Sequence, residues 1–174
     1  MTTSLLIPGY HIRQGSHLDR ATLVKFMQRT YGELYPGQDF SHLAQTVEQY
    51  LSGQTQLWWV ELESSSNSCQ PTHVPFFQQN SQVNCPIACL WLGNAMDQVQ
   101  GDRHSYIFLL YVMPNWRQQG IGTALMQWAE TWAKKRGDRQ IALQVFQHNS
   151  SALNLYDKLG YQPQSVWMTK SLDD

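Results

Sequence analysis

The part of the sequence that bears most clearly on chemistry is NWRQQGIGTAL, residues 115–125, in which Gly120 and Gly122 stand two residues apart. An apolar run precedes this segment and a helical pattern follows it, so the glycines fall in a strand-to-helix turn. The first amides of a helix have no partner within the helix and lie at the positive end of its dipole. Glycines let an anion approach such amides without meeting a Cβ atom, so the turn predicts a phosphate site with Arg117 and Gln118 at its rim. The structural alternative is a turn that needs its glycines for packing alone.

Two familiar phosphate-binding loops do not fit this segment. A nucleoside-triphosphate loop needs a lysine after its last glycine, and none follows Gly122. A dinucleotide-binding loop needs G-x-G-x-x-G, and Leu125 stands at the third glycine position. That loop also usually opens the first strand–helix unit of its fold, whereas this turn lies late in the chain.

Composition and charge narrow the class of protein. The 174 residues are long enough for one domain with a core, and a hydrophobic content of 42% is that of a globular protein. The formal net charge is −1 and there is no basic stripe, so we expect no nucleic-acid partner. We find neither a signal peptide nor an apolar run of transmembrane length, so we expect a cytoplasmic protein without a membrane partner.

The three cysteines favour a reducing compartment over a disulfide framework. Cys69, His73, Cys85 and Cys89 follow a C-x3-H and C-x3-C spacing, which four zinc ligands could also have. Cys89 lies in an apolar, strand-like run, and the segment around the other residues is polar and loop-like. We therefore expect no metal.

Periodicity and turn residues predict the elements that position the turn. We expect strands at 10–13, 57–63, 87–92, 105–113, 140–146 and 164–170, and helices that begin near residues 16–19, 41, 121 and 149. Residues 64–84, rich in Ser, Gln, Asn and Pro, are predicted to be a polar insertion loop. Because strands and helices alternate in the second half, the sequence predicts an α/β (α+β) fold with a mixed sheet, in one domain over residues 1–174.

The glycine turn resembles the pyrophosphate-binding turn of the GNAT superfamily of N-acetyltransferases. Arg117, Gly120 and Gly122 match the family's Gln/Arg-x-x-Gly-x-Gly/Ala signature. The later segment NSSALNLYDKLGYQ is similar to the family pattern Asn-x-x-Ala-x-x-Leu-Tyr-x-x-x-Gly-Phe/Tyr. The residues in the matching places are Asn149, Ala152, Leu155, Tyr156, Gly160 and Tyr161. The resemblance is detailed from about residue 87 to residue 170.

The resemblance implies a single GNAT-like domain with a mixed, mostly antiparallel sheet of six or seven strands and about four flanking helices. The sheet would splay between two parallel strands, Ser105–Met113 and Gln140–Phe146, and acetyl-CoA would bind in the cleft as cosubstrate. The edge at Tyr111 and Val112 would pair with the pantetheine arm, and the Val112 amide would donate to the thioester carbonyl. The pyrophosphate would be held by the backbone amides of Gln118, Gln119, Gly120, Ile121, Gly122 and Thr123.

Two residues of the later segment have roles implied by the resemblance. Asn149 is suited to cap the helix that follows it, and in the family this residue also contacts the cofactor arm. Tyr156 is either a core tyrosine or the catalytic phenol that protonates the departing sulfur. Because the acetyl group arrives already activated, no covalent enzyme intermediate is needed, and the cysteines are not required as nucleophiles.

The sequence leaves the general base open. A lysine amine is neutral about once in 2,500 molecules at pH 7, against roughly one in ten for an α-amine, so a lysine-like acceptor needs a base more. Family members often carry a glutamate in the strand before the turn, and the strand SYIFLLYV has none. Glu33, Asp102, His104 and His148 are the alternatives, although each also suits a solvated surface. An acceptor whose amine has a low pKa would not need a general base.

The implied activity is direct transfer of acetyl, in a ternary complex, to a primary amine on a small molecule, peptide or protein. Tyr31, Tyr35, Phe40 and Trp167 are expected either to line the acceptor site, where aromatic rings suit apolar or cationic groups, or to pack in the core. The alternative from another class is a non-catalytic acyl-CoA-binding or sensor module. The sequence does not fix the oligomeric state, and the resemblance adds only that homodimers are common.

Overall fold

The computed structural model describes residues 3–63 and 85–172. The described strands are β1 (Thr3–Ile7), β2 (Tyr10–Gln14), β3 (Gln56–Leu62), β4 (Ala88–Met96), β5 (Arg103–Val112) and β6 (Ile141–Leu143). The described helices are α1 (Arg20–Leu34), α2 (Leu43–Tyr50), α3 (Ile121–Arg136) and α4 (Ser150–Lys158). The chain divides between Gln144 and Val145 into two compact units, the first with all six strands and α1–α3, the second with α4. No helix within the described ranges is long and apolar enough to cross a membrane.

The six strands form one sheet in chain order, β1 to β6. Neighbouring strands are antiparallel except β5 and β6, which are parallel. This mixed sheet confirms the predicted fold class, and the parallel pair lies where the sequence places it. The hairpin partner β1 is an addition, since the sequence analysis begins its strands at residue 10.

Helices cover both faces of the sheet in the first unit. Trp58 and Trp59 are neighbours on β3 and therefore point to opposite faces. Trp59 meets Phe26 of α1 edge-on at 5.1 Å between ring centroids, and Trp58 meets Trp132 of α3 at 5.6 Å. Thus α1 and α3 pack on opposite sides, and both tryptophans of β3 are buried.

A β-bulge in the pairing of β4 with β5 lies at the point where the pairing of β5 with β6 ends. The parallel pairing joins residues 105–107 of β5 to residues 141–143 and goes no further, although β5 continues to Val112. At that point Phe108 has no partner on β4, because Leu109 pairs with Trp91 and Ile107 with Leu92. Bulges bend and twist a strand, so the bulge at Phe108 accounts for the open edge that follows.

The C-terminal end of α3 is tied to the sheet by a buried carboxylate. Asp138, whose side chain is 2% exposed, accepts a hydrogen bond from Ser105 of β5 at 2.5 Å and is paired with Arg136. Arg136 also donates to Asn94 of β4 at 2.6 Å. Burial acts to raise the pKa of Asp138, but the hydrogen bonds from Arg136 and Ser105 outweigh it and hold the pKa below 3.8.

Some predicted boundaries are wrong. Residues 161–172 form no strand in the described chain, and Val166, Trp167 and Met168 are exposed, so the strand expected at 164–170 is absent from this range. The strand expected at 140–146 is limited to Ile141–Leu143, and β4 runs on to Met96, beyond the end predicted at residue 92. The predicted insertion loop at 64–84 lies outside the described residues.

Replacing Asp138 with Asn is expected to lower the free energy of unfolding by about 3 kcal/mol at pH 7, because Arg136 keeps its charge and loses its buried partner. Urea denaturation measures the loss. The matched control is Asp102→Asn, which removes the exposed partner of Arg139 and should cost less than about 1 kcal/mol.

The pKa of Asp138 is tested by comparing wild type with Asp138→Asn across a range of pH. A carboxyl whose pKa is depressed by folding stabilises the folded state above its unfolded pKa and loses that effect as pH falls through the folded value. The stability gap between wild type and Asp138→Asn should therefore be full at neutral pH and should close as pH falls below 3.8. A gap that widens at low pH would contradict this assignment.

Candidate functional site

The turn between β5 and α3 has two left-handed residues. A short 3-10 turn, Pro114–Trp116, follows β5, and the chain then passes through Gln118 at φ 62° and Gly120 at φ 82° before α3 begins. Glycine adopts a positive φ freely, whereas a residue with a Cβ atom pays about 1–2 kcal/mol. The strained backbone at Gln118 therefore lies in the segment that the sequence singles out for anion binding.

Six successive amides of this turn have no partner among residues 3–63 and 85–172. The Trp116 amide donates to Met113, the Arg117 amide to Pro114 and the Ala124 amide to Gly120. Between them, the amides of residues 118–123 donate to no other group of the described chain. A Cβ atom built on Gly120 would meet no atom within 4 Å, so the space there is open. Open space before unpaired amides at a helix start is the geometry of an anion site.

The turn is held from the side by β2. The Tyr10 hydroxyl donates to the side-chain oxygen of Gln119, and the Tyr10 ring meets the Trp116 ring edge-on at 6.2 Å. The side-chain nitrogen of Gln119 in turn donates to the Asn115 carbonyl at 3.4 Å. These contacts fix a turn whose own amides contribute no internal hydrogen bonds.

The open edge of β5 presents the backbone of Val112. The Met113 amide donates to the Ile87 carbonyl, toward β4. Because backbone groups alternate along a strand, the amide and carbonyl of Val112 point away from β4, and those of Tyr111 point toward it. Of the two residues predicted to pair with the cofactor arm, Val112 therefore offers its backbone, and Tyr111 contributes its side chain elsewhere.

Arg117, Glu33 and Tyr111 form a cluster at the end of β5 that the sequence analysis did not foresee. Arg117 donates from Nε to the Val112 carbonyl at 2.9 Å and from Nη2 to Glu33 Oε2 at 2.6 Å. The Tyr111 hydroxyl donates to Glu33 Oε1 at 2.5 Å, and the guanidinium carbon lies 5.5 Å from the Tyr111 ring centre. Burial, followed by the hydrogen bond and charge of Glu33, raises the pKa of Tyr111 to about 12. The phenol thus stays a proton donor to Glu33 at neutral pH.

The structure separates the four candidate bases. Glu33 lies beside Arg117 and Tyr111, at the end of β5 that carries Val112. His104, at the start of β5, and Asp102, just before it, are roughly 26 and 33 Å from Val112 at the rise of an extended strand. Asp102 pairs with Arg139, and buried His104 contacts Gln140. Asp102 and His104 are therefore too distant to act at Val112. His148 belongs to the second unit, where its ring stacks on Phe146.

The predicted acceptor-site aromatics of the first unit lie on the α1 side. The rings of Tyr31 and Phe40 are 5.7 Å apart and pack against the core. Burial raises the pKa of Tyr31 and of Tyr106 of β5, and the nearby Tyr31 phenol adds to the shift of Tyr106. These rings therefore take part in core packing. Trp167, of the second unit, is 77% exposed.

The second unit places Asn149 and Tyr156 on α4. Asn149 caps the helix as predicted, its side-chain oxygen accepting the Ala152 amide at 3.2 Å. Tyr156 is half-buried, its ring lies 5.7 Å from that of Tyr161, and burial raises the pKa of its phenol to about 12. The phenol is therefore protonated throughout the physiological pH range.

No group of three or more metal-ligating side chains occurs among residues 3–63 and 85–172. Two members of the predicted zinc pattern, Cys69 and His73, lie outside these ranges. Cys89 is fully buried on β4, and burial raises the pKa of its thiol, which disfavours the thiolate that binds metal.

Comparison with known proteins gives the family of this chain. The profile of the Acetyltransferase (GNAT) family matches residues 37–161, more than half of the chain. This protein belongs to the GNAT acetyltransferase family. An uncharacterized N-acetyltransferase of Methanocaldococcus jannaschii is 36% identical over 78 residues, which are 45% of this chain and 33% of that protein. The aligned regions span from about a third to about half of the length of such curated relatives.

Solved structures share the GNAT fold along nearly the whole chain. An acetyltransferase of Clostridium acetobutylicum, assigned by prediction and solved with acetyl-CoA, has a TM-score of 0.69 at 17% identity and covers 94% of this chain and 96% of its own. A proposed acetyl transferase of Pyrococcus furiosus has a TM-score of 0.68 at 22% identity and covers 94% of this chain and 99% of its own. At these identities the likeness establishes the GNAT fold alone.

Replacing Gly122 with Asp separates anion binding from folding. An acidic side chain in the first turn of α3 suits the helix dipole, and replacing a helical glycine removes an entropic cost, so thermal stability should be kept or raised. The same charge faces the unpaired amides and should weaken coenzyme A binding at least tenfold, as measured by calorimetry. The control is Gln127→Asp, further along α3 and exposed, which should bind normally. Unchanged affinity in Gly122→Asp would place the anion elsewhere.

Proposed function

We propose that this GNAT family member is an N-acetyltransferase, a single catalytic domain that moves acetyl from acetyl-CoA to a primary amine by direct attack. The observation that carries the proposal is the row of six amides at residues 118–123 that donate to no group in the described part of the chain. A diphosphate satisfies several such donors at once and gains from the helix dipole. The Arg117 side chain stands at the rim of the same turn and is proposed to add a donor.

The open edge of β5 supports a role for Val112 in catalysis. The Val112 amide points away from β4, toward the edge of β5 that does not pair with β6. A pantetheine arm is proposed to pair along this edge as an added strand would. Attack by an amine places negative charge on the thioester oxygen, and a backbone amide fixed beside that oxygen stabilises the charge. The C–S bond then breaks and the sulfur leaves as a thiolate, while the nitrogen loses one proton to solvent and the thiolate takes up one proton to become the coenzyme A thiol.

Tyr156 is proposed to assist the departing sulfur. A thiol has a pKa of about 8.5, and the Tyr156 phenol has a pKa of about 12, so full proton transfer from phenol to thiolate is unfavourable in the ground state. Tyr156 therefore acts first as a hydrogen-bond donor to the developing thiolate, and the phenol stays protonated to do so over the working pH range. The side-chain oxygen of Asn149 caps α4, and its side-chain NH2 group is proposed to contact the cofactor arm.

Thiol release from acetyl-CoA across a panel of primary amines tests the activity. We expect at least one amine to raise release well above the rate without amine, with one acetylated amine formed per thiol. If the protein binds acetyl-CoA tightly and no amine raises release, the non-catalytic acyl-CoA sensor takes the place of the enzyme.

Replacing Tyr156 with Phe tests its role. The affinity for coenzyme A should stay within about twofold, while kcat should fall about 100-fold, as for the loss of one hydrogen-bond donor to charge that develops in the transition state. In the wild type, the contribution of Tyr156 should persist above pH 10, because the phenol loses its proton only near its pKa of about 12. Tyr50→Phe on α2 is the control, and equal kcat values in wild type and Tyr156→Phe would remove Tyr156 from the mechanism.

A further inference from the structure

Arg117 already has two acceptors within the protein, and a diphosphate on the neighbouring amides would compete with them for its guanidinium. It stands at the rim of the amide turn, yet its guanidinium is directed to Glu33 Oε2 at 2.6 Å and to the Val112 carbonyl at 2.9 Å. Both contacts lie at the end of β5. The side chain therefore occupies the region between the turn and the reacting end of the strand.

The contact with Val112 obstructs the open edge of β5. A strand-like arm that adds along this edge pairs with backbone groups that point away from β4, and the Val112 carbonyl is one of them. Arg117 Nε already donates to this carbonyl. Binding of a pantetheine arm here therefore requires the guanidinium to leave.

The energetics favour that displacement. The side chains of Arg117 and Glu33 are 42% and 38% exposed, and water weakens an ion pair with such exposure. Hydrogen bonds to a charged phosphate group are among the stronger hydrogen bonds of proteins, and a diphosphate offers several acceptor oxygens. A diphosphate on the neighbouring amides therefore outcompetes Glu33 for the Arg117 guanidinium.

Departure of Arg117 leaves a site shaped for one cation. Glu33 Oε1 keeps its hydrogen bond from the Tyr111 hydroxyl at 2.5 Å, so the carboxylate stays oriented. Glu33 Oε2 loses its donor, and the Tyr111 ring, 5.5 Å from the guanidinium carbon, loses the cation beside it, a separation within the range of cation–π attraction. The nearby Arg29 is directed instead to Met113 Sδ and lies over the Phe26 ring.

We infer that Glu33 Oε2 and the Tyr111 ring form the ammonium subsite of the acceptor, and that Arg117 fills this subsite until acetyl-CoA binds. The inference rests on the proposed acetyltransferase function and names a substrate class for it. One free carboxylate oxygen receives one cation, so the acceptor presents a single ammonium group at this point. Cofactor binding opens the subsite, so the acceptor binds second. Glu33 acts by binding and orienting the ammonium group. Before attack this group loses one proton to solvent, and the second proton, which the nitrogen loses as the amide forms, is balanced by the proton that the coenzyme A thiolate takes up.

Replacing Glu33 with Gln in the full chain tests the subsite, because it should raise the KM of cationic amines and lower the Kd of coenzyme A. With 2-phenylethylamine or butylamine, both cationic at pH 7, KM should rise at least tenfold at saturating acetyl-CoA. The Kd of coenzyme A should fall by up to about fivefold, because binding no longer requires the ion pair between Arg117 and Glu33 to be broken. With aniline, which is neutral at pH 7, KM should stay within twofold. A variant that was only structurally damaged would not tighten coenzyme A or spare aniline.

Two further variants complete the test. Arg117→Met should raise the Kd of coenzyme A about tenfold and leave the KM of the cationic amines, at saturating acetyl-CoA, within twofold. Glu48→Gln, which removes an exposed carboxylate of α2 paired with Arg20, should change neither constant.

The failure of this subsite is distinguishable from the failure of the acetyltransferase proposal. If wild type acetylates the cationic amines and Glu33→Gln does so with an unchanged KM, the subsite is overturned and the proposed function stands. If wild type releases no thiol with any amine, both are overturned.

Discussion

A run of backbone amides at the start of α3, without partners among the described residues, is the feature on which the rest of this structure depends. The left-handed backbone at Gln118 costs free energy. The surrounding fold maintains the arrangement from both ends of the helix. Tyr10 holds the turn through Gln119, and buried Asp138 holds the other end to β5. The amides are therefore presented in a fixed position to whatever anion binds them.

The strand β5 connects this turn to the chemistry proposed for the protein. Its first half pairs with β6, and the bulge at Phe108 directs its second half away, which leaves the backbone of Val112 open. Gly93 allows the bulge, because a Cβ atom there would lie 2.0 Å from the Phe108 ring. The Tyr111 side chain, one residue before Val112, donates a hydrogen bond to Glu33 of α1. One strand thus joins the anion site, the proposed carbonyl donor and the proposed acceptor subsite.

The sequence predicts those features that depend on local residue order. The glycine spacing predicts the strand-to-helix turn, the cap at Asn149 is visible in its residue type, and alternation of elements predicts the mixed sheet. The contact between Glu33 and Arg117 joins residues 84 apart, and no local pattern announces it. The apolar residues at 164–170 have strand composition but lie exposed here, since composition alone does not supply a pairing edge. The roles proposed for Val112 and Tyr156 remain predictions.

The central claim is that the amides of residues 118–123 bind the diphosphate of coenzyme A. Titration of the 15N-labelled protein with coenzyme A, followed by amide NMR shifts and repeated with pantetheine, which lacks the diphosphate, tests it most directly. The account predicts that these six amides move most with coenzyme A and hardly at all with pantetheine. Saturation by coenzyme A with these amides unmoved, or equal shifts with pantetheine, would contradict it.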